Sequence, residues 1–159
     1  MRSTLIGQDA PDFTLPKSNG GSLSLSDLDG QWKVIFFYAR DGSPACKRGC
    51  LSFKEQYDLF QSLIPPVQII AISQDSVKDH EIFINKLNLP FDILSDKGLA
   101  VTKSYGVPLF LGKFPALSAF VIGPDRKIHH CYDWLFRPRK HVAKILDLLS
   151  RISRGEDAK

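Results

Sequence analysis

Apolar residues fall along this chain in two patterns, short unbroken runs and stripes at helical spacing, and the two alternate. Lys33 to Tyr38 (KVIFFY) and Val67 to Ser73 (VQIIAIS) are continuous runs of strand length, as expected of strands buried on both faces. Between them, after the polar loop ARDGSP, Phe53, Tyr57 and Phe60 recur at i, i+4 and i+7. That spacing turns one stripe of a helix starting near Pro44 toward a core. Ser76-Val77-Lys78-Asp79 has the form of a capping box opening a second helix, with Phe83 and Leu87 inward. Phe91 to Leu94 reads as a short strand and Gly98 to Tyr105 as a short helix stopped at Gly106. Ala119 to Ile122 and Lys127 to His130 flank Gly123-Pro124-Asp125-Arg126 as the arms of a hairpin. A last helix runs from about Arg139 to Arg154, carrying Val142, Ile145, Leu146, Leu149 and Ile152 on one side. At the other end, Phe13 to Leu15 and Ser22 to Leu25 read as short strands about the Asn19-Gly20-Gly21 turn.

Buried strands alternating with helices require a mostly parallel sheet covered on both faces, to which the late hairpin adds antiparallel strands. The predicted class is therefore α/β, with a mixed central sheet, helices on both faces and an N-terminal β-hairpin. No repeat, low-complexity tract or linker divides the 159 residues. Residues 1–154 are expected to form one domain, with 155–159 (GEDAK) as a frayed tail.

Composition narrows the function classes. Forty-three per cent apolar and 24% charged residues are ordinary for a soluble globular protein, and no apolar run is long enough to cross a bilayer. A net charge of +4 is mild, and the cluster Arg137, Arg139 and Lys140 reads as a solvated surface. Neither nucleic acid nor membrane is expected as a partner. The start, MRSTLIGQDAPDF, lacks the apolar core of a secretory signal, and Asp9 and Asp12 do not suit a transit peptide. A cytoplasmic protein is expected. Three cysteines, two of them close together, make no disulfide framework; in a reducing compartment a close pair signals redox work or a metal.

The segment Phe37 to Glu55, FYARDGSPACKRGCLSFKE, carries the chemistry. It places Cys46 just inside a helix N-terminus, where unpaired N–H groups and the helix dipole favour an anion. A cysteine so placed can have its pKa lowered from about 8.5 to roughly 3.5–7.5, and Arg40, Lys47 and Arg48 are near enough in sequence to push the same way. Polar and basic neighbours suit an exposed, reactive thiol better than a core one. Cys50 follows at i+4. Helix geometry sets the two Cα atoms about 6 Å apart, within disulfide range, but the Cβ atoms about 5–6 Å apart, against the 3.5–4.5 Å or so that a disulfide needs. The pair can bond only if the first helical turn loosens; the bland alternative is that Cys50 is a small helix residue. A metal site is the weaker idea, since C-x3-C is half a zinc site and Cys131, His129 and His130 lie on a distant strand. Adjacent His129 and His130 would point to opposite faces of that strand. No metal and no cofactor are expected.

These residues resemble the peroxiredoxins of the Q type, the bacterioferritin-comigratory branch. The resemblance runs from Gly7 to Leu149 through GQDAPDFTLP, LSDLDGQ, the cysteine loop, AISQDS, LPFDILSD, YGVP and AFVIGPDRKI. It implies a thioredoxin-like fold and a thiol peroxidase. Cys46 would attack a hydroperoxide and become a sulfenic acid, and a second thiol, Cys50, would condense with it to a disulfide. Thioredoxin or a similar dithiol protein would reduce that bond. Ser43 would supply the hydroxyl that orients peroxide and thiolate, and members of this branch are often monomers.

The chain also departs from that pattern. The family loop usually reads YPxDxTPGC where this one has YARDGSPAC, so Ala39 stands for the proline. Gly49 stands where a Gln or Glu is usual, and Cys50 comes one step before the usual resolving position, here Leu51. Leu117 occupies the place of the arginine that stabilises thiolate and developing charge; Arg40 or Lys113 are the candidates to stand in for it. Removing a preorganised donor of this kind costs about 10²–10³ in rate. Three readings stay open on this ground: a peroxidase, a thiol–disulfide oxidoreductase or redox sensor using the same pair, and a binding module without efficient catalysis. Phe110, Phe114, Trp134 and Phe136 are expected to be local core, or else to form a rim admitting organic hydroperoxides.

Overall fold

The computed structural model describes residues 5–156. Strands β1 (Thr14–Pro16) and β2 (Ser22–Ser24) pair antiparallel as a hairpin of their own. β3 (Lys33–Phe37) leads through a short loop into α1 (Pro44–Ser62), and β4 (Gln68–Ser73) into α2 (Val77–Leu87). β5 (Ile93–Ser95) is followed by a 3-10 turn and the short α3 (Ala100–Ser104). A small hairpin, β6 (Leu109–Phe110) and β7 (Phe114–Pro115), precedes β8 (Ser118–Ile122), β9 (Ile128–Tyr132) and α4 (Pro138–Ser153).

The central sheet has the order β5-β4-β3-β8-β9. β3, β4 and β5 run parallel, while β8 pairs antiparallel with both β3 and β9. This is the mixed sheet the apolar pattern predicts, a thioredoxin-like α/β fold. Two successive parallel crossovers in one direction put α1 and α2 on the same face, because such connections are right-handed. α4 joins them there, packed on α1 around Phe53, Phe60, Val142, Ile145 and Leu149. The opposite face is covered by the segment around Leu25 and Leu28, by Val101 of α3, and by Tyr105 and Val107.

Every residue of β3 is buried, Lys33 included. Its ammonium group donates to the carbonyls of Leu28, Gln31 and Gly123 at 3.0, 3.1 and 3.3 Å. Burial alone would make this residue costly, and three acceptors offset that cost. Phe36 stacks on Phe53 of α1 with ring centres 4.3 Å apart, fixing the helix over the strand that precedes it. At α2, the Ser76 hydroxyl accepts from the Asp79 N–H, as its sequence suggests.

Three details differ from the sequence reading. The segment expected as one helix, 98–105, begins with a turn in which Gly98 and Leu99 take φ of 81° and 65°, and only then becomes α3. Asp96 holds that turn, accepting from the N–H groups of Val101 and Thr102 and from the Thr102 hydroxyl. The β6–β7 hairpin gave no signal, because each arm is two residues long. Of the tail expected to fray, Gly155 and Glu156 bond back to Ile152 and Arg151, and 157–159 lie outside the described residues. No helix among the described residues is long and apolar enough to cross a membrane.

Candidate active site

The cysteine loop is built by the end of β3 and the start of α1. Ser43 is the N-cap, with φ −70° and ψ 132°, and Pro44 takes the first helical position, which suits proline's fixed φ and absent N–H. The Lys47 N–H closes the first turn on the Ser43 carbonyl at 2.8 Å. Cys46 is therefore the third helical residue, and its N–H and that of Ala45 have no acceptor within the helix. The Ser43 side chain makes no capping bond, and the first turn holds no acidic residue. The result is a positive helix pole with one uncommitted hydroxyl beside Cys46.

Both cysteines are buried, Cys46 at 5% exposure and Cys50 at 0%. This corrects the expectation of an exposed thiol. Positions 46 and 50 extend the stripe of Phe53, Tyr57 and Phe60 by two turns, so both cysteines face the core while Lys47 and Arg48 face solvent. Both cysteines are free thiols on an unbroken helix. Burial, then the charges of Cys46 and Asp41, push the Cys50 thiol well above its ordinary pKa, with the nearby Tyr38 hydroxyl opposing them.

Leu117, in the family's arginine position, packs on Gly49: a Cβ there would lie 2.9 Å from Leu117 Cδ2. The two departures noted separately in the sequence are thus one contact. Arg40 is exposed, its guanidinium over the Phe114 ring at 5.4 Å, and the Lys113 ammonium lies 6.0 Å from the same ring. Gln74 ties this edge together by donating to the carbonyls of Ala39 and Lys113.

Of the aromatic residues expected as local core, Phe110, Trp134 and Phe136 are instead exposed, and Phe114 is half-buried. They sit on turns and short strands that have no second layer above them; Trp134 and Phe136 stack on each other at 6.1 Å. Cys131 packs against the opposite face of the sheet from Cys46 and Cys50. His129 lies against Trp32 and Asp125, and His130 against Tyr132.

Sequence reasoning missed a buried polar cluster behind the loop. The Tyr38 hydroxyl donates to Asp41 Oδ1 at 2.6 Å, His80 Nδ1 meets Asp41 Oδ2 at 2.8 Å, and the Asp41 N–H donates to Asp75 Oδ2 at 2.6 Å. Asp41, Asp75 and His80 offer ligand-type atoms within 4.8 Å of one another, and these bonds hold them together. Burial raises the pKa of Asp75, with the Asp41 N–H bond opposing it. The only sequence signal was a tyrosine ending an otherwise apolar run, with an aspartate three residues on.

Comparison with known proteins gives this geometry its context. The AhpC/TSA family matches residues 6–131. Peroxiredoxin Q, chloroplastic, from Oryza sativa subsp. japonica is 34% identical over 147 residues, 92% of this chain and 67% of that protein. The peroxidoxin BcpB structure from Mycobacterium tuberculosis superposes with a TM-score of 0.83 at 28% identity, covering 92% of this chain and 97% of the other. The Xanthomonas campestris bacterioferritin comigratory protein, studied for alkyl peroxide reduction, gives 0.79 at 25% identity, over 89% and 92% of the two chains. With the fold, the cysteine loop and these relatives in agreement, the chain belongs to the AhpC/TSA family and is a peroxiredoxin of the Q type, an enzyme of the thiol-peroxidase class.

Proposed function

We propose that Cys46 is the nucleophile that reduces hydrogen peroxide and organic hydroperoxides. One observation carries this: Cys46 is third in a helix whose pole is left open by an uncapped Ser43 hydroxyl and two free N–H groups. Those groups suit the peroxide oxygens and the charge that develops as the O–O bond breaks. Thiolate attack yields a Cys46 sulfenic acid and releases water or an alcohol. Cys50, one helical turn away, then displaces the sulfenic hydroxyl as water and forms an intramolecular disulfide.

Forming that bond requires the first turn of α1 to open, and Gly49 between the sulfurs eases it, since glycine costs a helix about 1 kcal/mol relative to alanine. Thioredoxin or a similar dithiol protein restores both thiols by exchange. An internal disulfide needs no second subunit, so the working form is a monomer. Arg40, held near the loop by Phe114, lends electrostatic support.

The second reading, a thiol–disulfide oxidoreductase or redox sensor with slow peroxide chemistry, is favoured by Leu117, which sets hydrocarbon where the family carries a cation. Stopped-flow oxidation of the reduced protein by hydrogen peroxide separates the two. The peroxidase reading expects rapid oxidation, lost in Cys46→Ser and ending at a trappable sulfenic acid in Cys50→Ser. A rate no better than that of a free thiolate sinks it and leaves exchange with a dithiol protein as the activity.

A further inference from the structure

The loop from Tyr38 to Ser43 joins β3 to α1, and its own sequence does little to fix its shape. Ala39 leaves φ free where a proline would lock it, and Gly42 is the most permissive of residues. One long local bond closes it as a turn: the Ser43 N–H donates to the Arg40 carbonyl at 3.3 Å, with Asp41 and Gly42 between. Ser43 is the N-cap of α1, so this turn sets where its hydroxyl and the helix pole beside Cys46 point.

Asp41 is bound at three points within that turn. Its Oδ1 accepts from the Tyr38 hydroxyl at 2.6 Å, its Oδ2 meets His80 Nδ1 of α2 at 2.8 Å, and its N–H donates to Asp75 Oδ2 at 2.6 Å. A carboxylate only accepts, so the hydrogen in the His80 bond resides on Nδ1. Tyr38 and His80 have no exposed surface and Asp41 has 7%, which shields these bonds from competing water. His80 Nε2 is buried without a partner, a cost that a hydrocarbon side chain in its place would not carry. The connection between β4 and α2 is tied down in turn. The Asp75 N–H donates to the Ser73 hydroxyl, the Ser95 hydroxyl donates to the Asp75 carbonyl, and Gln74 donates to the Ala39 carbonyl.

We infer that Asp41, Asp75 and His80 are positioning residues for the peroxide reaction. They clamp the 40–43 turn to α2 and the β4–α2 connection, and so fix the Ser43 hydroxyl and the first N–H groups of α1 relative to Cys46. The inference rests on Cys46 being the nucleophile. None of the three touches substrate; each acts through the turn. Attack on an O–O bond needs sulfur and oxygens aligned, and a misplacement of about 1 Å can cost about 10²-fold in rate. Alkylation by iodoacetamide needs the same thiolate but no groups that orient oxygen, so the clamp bears on one reaction and not on the other.

The test compares two rate constants at Cys46 in the full chain: stopped-flow oxidation by hydrogen peroxide, and alkylation by iodoacetamide followed by the mass of the Cys46 peptide. Asp41→Ala is expected to slow the peroxide reaction by about 10²-fold and Asp75→Ala by at least about tenfold, with alkylation equal or faster in both. Asp75→Asn retains an oxygen that accepts from the Asp41 N–H and is expected to keep the wild-type peroxide rate. Equal losses in Asp75→Asn and Asp75→Ala, a parallel loss of both reactions, or an unchanged peroxide rate in the alanine variants overturns the inference. Should Asp41→Ala fail to fold, the two variants of Asp75, a half-buried residue, decide it alone. Should the wild-type protein react with peroxide no faster than a free thiolate, the nucleophile reading fails, and hydrogen exchange at the Ser43 N–H reads the clamp by itself. Protection lost in Asp75→Ala and kept in Asp75→Asn supports the clamp; equal protection in the two overturns it.

Discussion

Leu117 lies over Gly49 so closely that a Cβ on residue 49 would stand 2.9 Å from its Cδ2 and 3.2 Å from its Cδ1. The leucine occupies the volume that any side chain at 49 would need. Gly49→Ala gains about 1 kcal/mol of helix propensity but must push Leu117 aside. In a denaturant cycle with Leu117→Ala, the alanine at 49 is expected to stabilise only in the Leu117→Ala background, with a coupling of about 0.5–3 kcal/mol. Additive effects would mean that the contact is not tight.

The same contact bears on rate. On the proposed chemistry, hydrocarbon at 117 leaves the charge developing on the peroxide to the helix pole and Ser43, with no cation at 117. Leu117→Arg, its stem lying along the space above Gly49, is expected to raise the second-order rate constant with hydrogen peroxide by about 10²-fold. Stopped-flow oxidation of the reduced variant checks this, and an unchanged rate would show that a cation at 117 does not reach Cys46.

Cys50 should make the protein sensitive to alkali. Burial raises its pKa well above the ordinary 9.0, so above that pH the unfolded chain releases a proton that the folded chain keeps. Stability then falls with rising pH, by at most about 1.4 kcal/mol per unit, until the folded value is reached. Cys50→Ser removes this group and is expected to show a shallower decline above pH 9 in denaturant titrations, while matching the wild-type slope at neutral pH. Tyr38 and Tyr105, also raised by burial, contribute the same sign in both proteins.

Lys33 joins three carbonyls, and Lys33→Met fills the space without replacing a donor. Three acceptors lose their partner, at about 1–3 kcal/mol for each buried group left unsatisfied. The melting temperature is expected to drop by about 5 °C or more, with the peroxide reaction at 25 °C unchanged, since the residue lies at the far end of β3 from the cysteine loop. A melting point equal to wild type would mean that water replaces the ammonium.

How far the sequence carried depended on the range of the interactions. The buried runs 33–38 and 67–73, the helix after Pro44 and the late hairpin were legible because each follows from local periodicity and turn residues. So was Cys46 at a helix start, since a strand, a Ser-Pro pair and a stripe at fixed spacing are all neighbours in the chain. Even the burial of both cysteines was encoded, by their continuing the stripe of Phe53, Tyr57 and Phe60, though the polar neighbours drew the reading toward solvent. What the chain could not display is contact across long loops. Leu117 meets Gly49 from 68 residues away, and His80 reaches Asp41 from 39 residues away. Cys131 is separated from the other two sulfurs by a sheet. Local pattern determined the elements and the place of Cys46; packing of distant segments decided what surrounds it, because neither contact has a spacing that a one-dimensional pattern can record.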